Sequence, residues 1–221
     1  MPPRHDPAGP AGCQPGTSAD STARTVFDET TALARSYAQV FGRKSIDDAE
    51  MTLASSIHYG VDYNNAFWNG VQMTYGDGDG HIFLDFSRGN DVIGHEITHG
   101  VTQHTIQLGY NEAGGLNESL SDVFGSMFRQ WQAGQGVTQA DWLIGKDIMG
   151  PDSVARGYSC LRDMADPAAA HCLAPQITHF SQFRKGMDPH QQRRAELAFT
   201  TAALALGGRV GRGSARYGIG R

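Results

Sequence analysis

Over residues 25–41, apolar Val26, Leu33, Tyr37, Val40 and Phe41 recur at helical spacing, and Gly42 ends the run. The period then shortens towards two. Residues 51–59 read as a strand, 62–65 as a turn and 70–75 as a second strand. That strand runs through Gly76-Asp-Gly-Asp-Gly80 into a third, residues 81–86, and the pair is expected to form a hairpin. After Ser87 the period returns to 3.6 and helices are expected as far as Gly207. One covers residues 91–105, with Val92, Ile93, Ile97 and Val101 on its buried side. Gly114 and Gly115 break the chain before the next, in which Leu116, Leu120, Val123, Phe124 and Met127 repeat at helical spacing.

These elements predict an α+β protein. A disordered leader rich in Pro, Gly, Ser and Thr occupies residues 1–23, an α/β part residues 24–90 and a mainly helical part residues 91–221. Two halves of this kind would pack with a cleft between them. The formal net charge of −5 argues against nucleic acid as a partner, since that needs a concentrated basic surface. No stretch approaches the roughly 18 apolar residues of a membrane span, and the opening residues lack the apolar segment of an export signal. Cys13, Cys160 and Cys172 contain no CxxC pair; Cys160 and Cys172 either bridge or stand as free thiols. Gly76–Gly80 lacks the further carboxylates and closing Glu of a calcium loop, so it reads as a turn.

The chemistry lies in His95-Glu-Ile-Thr-His99. Positions i and i+4 of a helix share a face, so both imidazoles can point at one ion. Glu96 is turned about 100° from His95, where it can reach a metal-held water without binding the metal. A catalytic zinc needs a third protein ligand and an open fourth position. Glu118 on the following helix is the candidate. Asp122, one turn on, is placed to take the outer N–H of a ligand histidine. Without the histidines, Glu118 and Asp122 would read as surface carboxylates on an amphipathic helix.

GHEITHGVTQ (94–103) followed by GGLNESLSDVFG (114–125) resembles the thermolysin family of zinc metallopeptidases, in its small protealysin-like branch. Residues 63–80, YNNAFWNGVQMTYGDGDG, are similar to that family's edge-strand signature, and CLRDMADP (160–167) to its arginine segment. The resemblance implies one zinc held by His95, His99 and Glu118, with Glu96 as the base acting on zinc-held water. It implies Tyr110 and His190 as donors to the oxyanion, and Asn117, Asp122 and Asp188 as residues that orient the site. Asn65 and Ala66 would hold the substrate backbone and Arg162 a substrate carbonyl. Phe83, Phe86, Val92, Ile144, Ile148 and Leu161 would form an apolar pocket after the scissile bond. The implied activity is endopeptidase cleavage on the N-terminal side of large hydrophobic residues. The partner is a peptide or protein, without nucleic acid or membrane, and the chain a monomer. Family resemblance implies secretion; the missing signal leaves the cytoplasm open.

The chain departs from the family in four places. Tyr110 stands eight residues before Glu118, one fewer than the pattern. Arg129, Leu143 and Lys146 occupy positions where relatives place the acids of a double calcium site; only Asp91 and Asp141 are kept, so that site is expected to be absent. The tight Asn-Ser-Gly bend expected after His190 is replaced by Gln191-Gln-Arg-Arg-Ala-Glu-Leu197. One choice of codons for that segment, read a base later, spells the family bend, as a shifted reading frame would. The C-terminal helical domain is expected to be largely missing. The departures frame an alternative, a zinc-binding but inactive truncated or frameshifted relative. A non-enzymatic calcium or adhesion module would rest on Gly76–Gly80 alone.

Overall fold

The structure, a computed structural model, describes residues 18–108, 112–178, 180–182 and 195–206. The first helix, α1 (Ser21–Phe41), begins inside the stretch expected to be leader. Asp20 starts it: the carboxylate accepts the otherwise unpaired N–H groups of Thr22 (2.8 Å) and Ala23 (3.2 Å). Val26, Leu33 and Tyr37 are buried as the pattern predicts, whereas Phe41 is half exposed. The Tyr37 hydroxyl lies 3.0 Å from Thr98 Oγ1 on the helix below.

The sheet is smaller than predicted and differently wired. Its strands are β1 (Ser55–Ser56), β2 (Ala66–Trp68) and β3 (Met73–Tyr75), in the order β1-β3-β2. β1 runs parallel to β3, pairing Ser55 with Met73; β2 runs antiparallel, pairing Ala66 with Tyr75 and Trp68 with Met73. The predicted 51–59 strand shrinks to two residues, with Glu50 (φ 68°) and His58 (φ 56°) outside extended geometry on either side.

The hairpin turns at Asn69-Gly70, not at Gly76–Gly80. Gly70 adopts φ 101°, and Asn69 Oδ1 accepts from the N–H groups of Val71 (3.0 Å) and Gln72 (2.9 Å). The loop between the paired Trp68 and Met73 thus has four residues, with Gly70 supplying the positive φ and Asn69 the side-chain acceptor. Residues 81–86 are not a strand. Asp79 Oδ1 accepts the N–H groups of His81 (2.8 Å), Ile82 (2.7 Å) and Phe83 (3.2 Å), withdrawing them from any ladder. The other Asp79 oxygen accepts from Asn64 (2.7 Å), so this carboxylate organises a turn, as expected of the segment.

Two long helices carry the centre of the molecule, α2 (Asn90–Gln103) and α3 (Glu112–Ala133). They cross at Gly94 and Gly125. A Cβ on Gly94 would sit 2.8 Å from the Gly125 Cα, and one on Gly125 only 2.4 Å from the Asp91 carbonyl oxygen. Only bare backbone allows this approach, and it brings the α3 face bearing Glu118 and Asp122 against the two histidines of α2. Gly114 and Gly115 do not break the chain as expected; they are buried in the first turns of α3. Nor is Leu116 on the buried side: it is exposed, while Glu118, Ser119, Ser121, Asp122 and Ser126 are inside.

Among the described residues after Ala133, helices do not dominate. Residues 134–178 are mostly irregular, around a two-stranded sheet of β4 (Leu143–Ile144) and β5 (Arg162–Asp163) and the short α4 (Pro151–Ala155). Ile144 pairs with Arg162, which brings both to the cleft. The last described helix, α5 (Ala195–Leu206), packs Phe199 and Ala203 on a small core of Val123, Val137, Trp142, Ile144 and Met164.

Candidate metal centre

α2 and α3 supply three converging donors. His95 Nε2 and His99 Nε2 are 3.0 Å apart, and Glu118 places Oε2 3.4 Å from the first and Oε1 3.6 Å from the second. Zinc ligands lie about 2.0–2.2 Å from the ion in a tetrahedral site, which spaces them about 3.3–3.6 Å apart. The donor set also has the right chemistry. His95 Nδ1 faces Asp122 Oδ1 at 2.7 Å, so its proton belongs there and the Nε2 lone pair points inward. Two such lone pairs facing one carboxylate form a cation site. Burial opposes positive charge on His95, but the Asp122 and Glu118 carboxylates outweigh it and push the imidazole up to about 9, so a cation arriving between the donors takes the place of a proton on Nε2. His99 Nδ1 lies 3.4 Å from Asn117 Oδ1 and 3.2 Å from Ser121 Oγ. Asn117 Oδ1 is itself fixed by the Thr102 hydroxyl at 2.8 Å.

His95, His99, Asn117 and Glu118 form the floor of a cleft of about 1030 Å³. One wall is the segment Asn65–Trp68, containing the outer strand β2; the other carries Phe86, Val92, Ile144, Ile148, Leu161 and Arg162. Glu96 lies on the floor beside the histidines, 6% exposed, and its Oε2 accepts the Trp68 backbone N–H at 2.9 Å.

Residues 19–103 match the thermolysin metallopeptidase catalytic domain, and residues 107–194 match the alpha-helical domain of the same family. Together the two matches take in well over half of the chain. The chain belongs to the thermolysin metallopeptidase family. It is 42% identical over 181 residues to an extracellular metalloprotease of Pectobacterium carotovorum subsp. carotovorum, covering 77% of this chain and 51% of that protein. It is 50% identical over 133 residues to a thermolysin of Alicyclobacillus acidocaldarius subsp. acidocaldarius, covering 60% of this chain and 23% of that protein. Among solved structures, the protealysin precursor from Serratia proteamaculans superposes with a TM-score of 0.80 at 36% identity, covering 88% of this chain and 63% of that one. The chain thus spans about half or less of the curated relatives cited.

Most of the residues expected from the thermolysin-family motifs meet at this cleft. His95, Glu96, His99, Asn117 and Glu118 line its floor, and Asp122 stands behind His95. Asn65, Ala66 and five of the six pocket residues line its walls. Phe83 does not. It packs on Phe86, ring centroids 5.3 Å apart, and bridges to Met149, because the Asp79 turn directs its segment away from the cleft. Tyr110, Asp188 and His190 lie outside the described residues.

Arg162 does more than line the cleft. Its Nε donates to Asp122 Oδ2 and its NH2 to Asp122 Oδ1, both at 2.6 Å. Sequence reasoning gave it only a substrate role. Ser121, Thr102 and the Trp68 N–H were also missed. Ser121 could have been found: it lies one turn after Asn117, on the face that carries the acids.

Where the family resemblance led calcium-binding acids to be sought, Arg129 reaches Asp147 Oδ2 at 2.6 Å and Asp91 Oδ2 at 3.4 Å, and Lys146 pairs with Asp141. Asp91 is fully buried and also accepts the Gly145 N–H at 2.7 Å. Burial pushes its carboxyl up, against the pull of Arg129.

Proposed function

We propose that this chain is a zinc-dependent metalloendopeptidase that cleaves peptide bonds on the N-terminal side of large hydrophobic residues. His95, His99 and Glu118 would hold one zinc, and Glu96 would act as general base. The observation that carries the reading is the convergence of His95 Nε2, His99 Nε2 and the Glu118 carboxylate within 3.0–3.6 Å, beside Glu96 and at the floor of a cleft.

Zinc bound there would supply a Lewis acid that acidifies water and polarises the scissile carbonyl. The chain's own residues would do the rest. Glu96 would take a proton from the attacking water and pass it to the leaving amine. The Trp68 N–H holds one Glu96 oxygen, which orients the carboxylate before substrate arrives. The outer edge of β2, with Asn65 and Ala66, suits an extended peptide laid alongside as an added strand. Phe86, Val92, Ile144, Ile148 and Leu161 present no charge to pair with Lys or Asp, which favours Leu, Phe, Ile or Val after the scissile bond. Tyr110 and His190 would stabilise the oxyanion, with Asp188 orienting the site, and Arg162 would offer the N–H groups not used on Asp122 to a substrate carbonyl.

A peptide or protein substrate, a monomeric state and secretion complete the proposal; secretion is supported by the relative described as extracellular. No helix among the described residues is long and apolar enough to cross a membrane. The sequence after His190 favours a second reading, a chain that holds zinc but turns over poorly. Zinc content and hydrolysis of a peptide library separate the two. The first requires one zinc per chain and cleavage before large hydrophobic residues; the second gives zinc alone. Glu118→Gln should lose most of the zinc. Glu96→Gln should keep it and lose hydrolysis by about 10²–10⁴-fold. Zinc retained by Glu118→Gln but lost from Glu96→Gln would reverse the assignment.

A further inference from the structure

Behind the cleft wall, away from the three zinc donors, two thiols are buried against each other. Cys160 and Cys172 are 0% and 2% exposed, with Sγ atoms 3.1 Å apart. Their backbones are pinned in parallel: the two residues form a bridge, Leu173 N–H donates to Cys160 O at 3.0 Å, and Ser159 N–H to His171 O at 3.0 Å. Adjacent strands stand about 4.8 Å apart, inside the Cα separation a disulfide tolerates. The cluster around them is small, Cys160, Ala169 and Cys172 with part of Leu143; the middle of the loop is anchored separately, through Met164 and the pairing of β5 with β4, so the base of the loop is where a cross-link would add most.

We propose that Cys160 and Cys172 form a disulfide that closes the 160–172 loop and holds Arg162 on Asp122. Arg162 leaves Cys160 by two residues, pairs with Ile144 across β4 and β5, and grips the carboxylate that faces His95. A cross-link at the base of the loop therefore fixes the strand that carries this arginine. The oxidant is a small-molecule disulfide such as oxidised glutathione. One cysteine thiolate displaces a small thiol to give a mixed disulfide, the second cysteine thiolate displaces the other, and both cysteine protons end on the two released thiols. Burial pushes both cysteine thiols up, which keeps them neutral until the loop opens to the oxidant.

Metal binding is the rival use of these residues, since donor atoms of Cys160, His171 and Cys172 lie within 4.8 Å of one another. Two sulfurs on one zinc, each about 2.3 Å from it, stand about 3.8 Å apart; here they are in direct contact. His171 Nε2 is 3.4 Å from Asp163 Oδ2, on a side chain that is 43% exposed.

The zinc-loaded full chain, equilibrated with oxidised or reduced glutathione, denatured and alkylated, tests the proposal by peptide mass spectrometry. Oxidation should protect Cys160 and Cys172, leave Cys13 alkylated or carrying one glutathione, and yield one linked peptide pair lighter by two hydrogens. The melting temperature should be roughly 5–10 °C higher in the oxidised form. Cys160→Ser and Cys172→Ser should melt alike in both buffers; if neither folds, the thiol mapping of the unaltered chain still decides. Alkylation of both cysteines after oxidation, pairing with Cys13 or with a second chain, or a second zinc equivalent lost in Cys172→Ser would each overturn the disulfide. An unchanged melting temperature after cross-linking would overturn its hold on the loop.

Discussion

Arg162 grips Asp122 with two hydrogen bonds of 2.6 Å, one from Nε to Oδ2 and one from NH2 to Oδ1. Asp122 is fully buried, and its Oδ1 also faces His95 Nδ1 at 2.7 Å. The arginine therefore balances the charge of the residue that sets the tautomer of a ligand histidine. Arg162→Lys keeps the charge but loses the planar fork, and zinc affinity should fall about 10–100-fold. Arg162→Met leaves a buried carboxylate without its cation, a loss of about 3–5 kcal/mol of stability. Competition with a chelator and thermal melts read both effects. An unchanged zinc affinity with only a raised KM for peptide would confine Arg162 to substrate binding.

The helix crossing makes a second prediction. A Cβ on Gly125 would lie 2.4 Å from the Asp91 carbonyl oxygen, so Gly125→Ala must push α2 and α3 apart. Overpacking of this kind costs about 1–3 kcal/mol, and here it also parts the histidines from Glu118. Weaker zinc binding and a lower melting temperature are expected together. Leu116→Ala, on the exposed side of the same helix, should change neither. A melting temperature that falls without loss of zinc would separate the crossing from the site.

The candidate metal site was legible because its geometry is local. His95 and His99 share a helix face by spacing alone, and Glu118 and Asp122 repeat the device. The sheet was less legible. Glycines favour a turn at both Gly70 and Gly76–Gly80, so the sequence offers two places for the hairpin, and the withdrawal of three N–H groups by Asp79 depends on its approach to them in the folded chain. The inner face of α3 was misjudged for a different reason. Hydrophobic periodicity assumes that the buried side is apolar, but this helix buries Glu118, Ser119, Ser121 and Asp122 and leaves Leu116 outside, with Glu118 turned towards the two histidines. The role of Arg162 towards Asp122 could not be read because 40 residues separate them.

Calcium should add little to stability. Arg129 and Lys146 already pair with Asp91, Asp147 and Asp141, where a divalent ion would otherwise meet carboxylates. Millimolar calcium should move the melting temperature by no more than about 2 °C. Arg129→Met should destabilise the chain by about 3–5 kcal/mol, because Asp91 is then buried without its cation. A large stabilisation of the unaltered chain by calcium would show that an ion displaces these side chains.

His58 ties the start of α1 to the turn after β3. Its Nδ1 is 2.7 Å from Asp77 Oδ1 and its Nε2 2.8 Å from Asp20 Oδ2, an arrangement that calls for both ring nitrogens to carry protons. Hydrogen bonds to Asp20 and Asp77 raise the imidazole above its ordinary 6.5, and the bond from His58 is the leading cause that lowers Asp20 below 3.8. The histidine's contribution is thus fully present below pH 6.5 and is lost as pH rises through its higher folded value. The Asp20 contribution is present above 3.8 and is lost as pH falls through its depressed value. The pairs are half exposed, so the effect is small, about 1–3 °C in melting temperature. His58→Asn tests it, because Asn tolerates the φ of 56° found there. The variant should melt below the unaltered chain at pH 6, and the gap should close by pH 9. A gap that persists unchanged across that range would show that the histidine contributes by packing, not by charge.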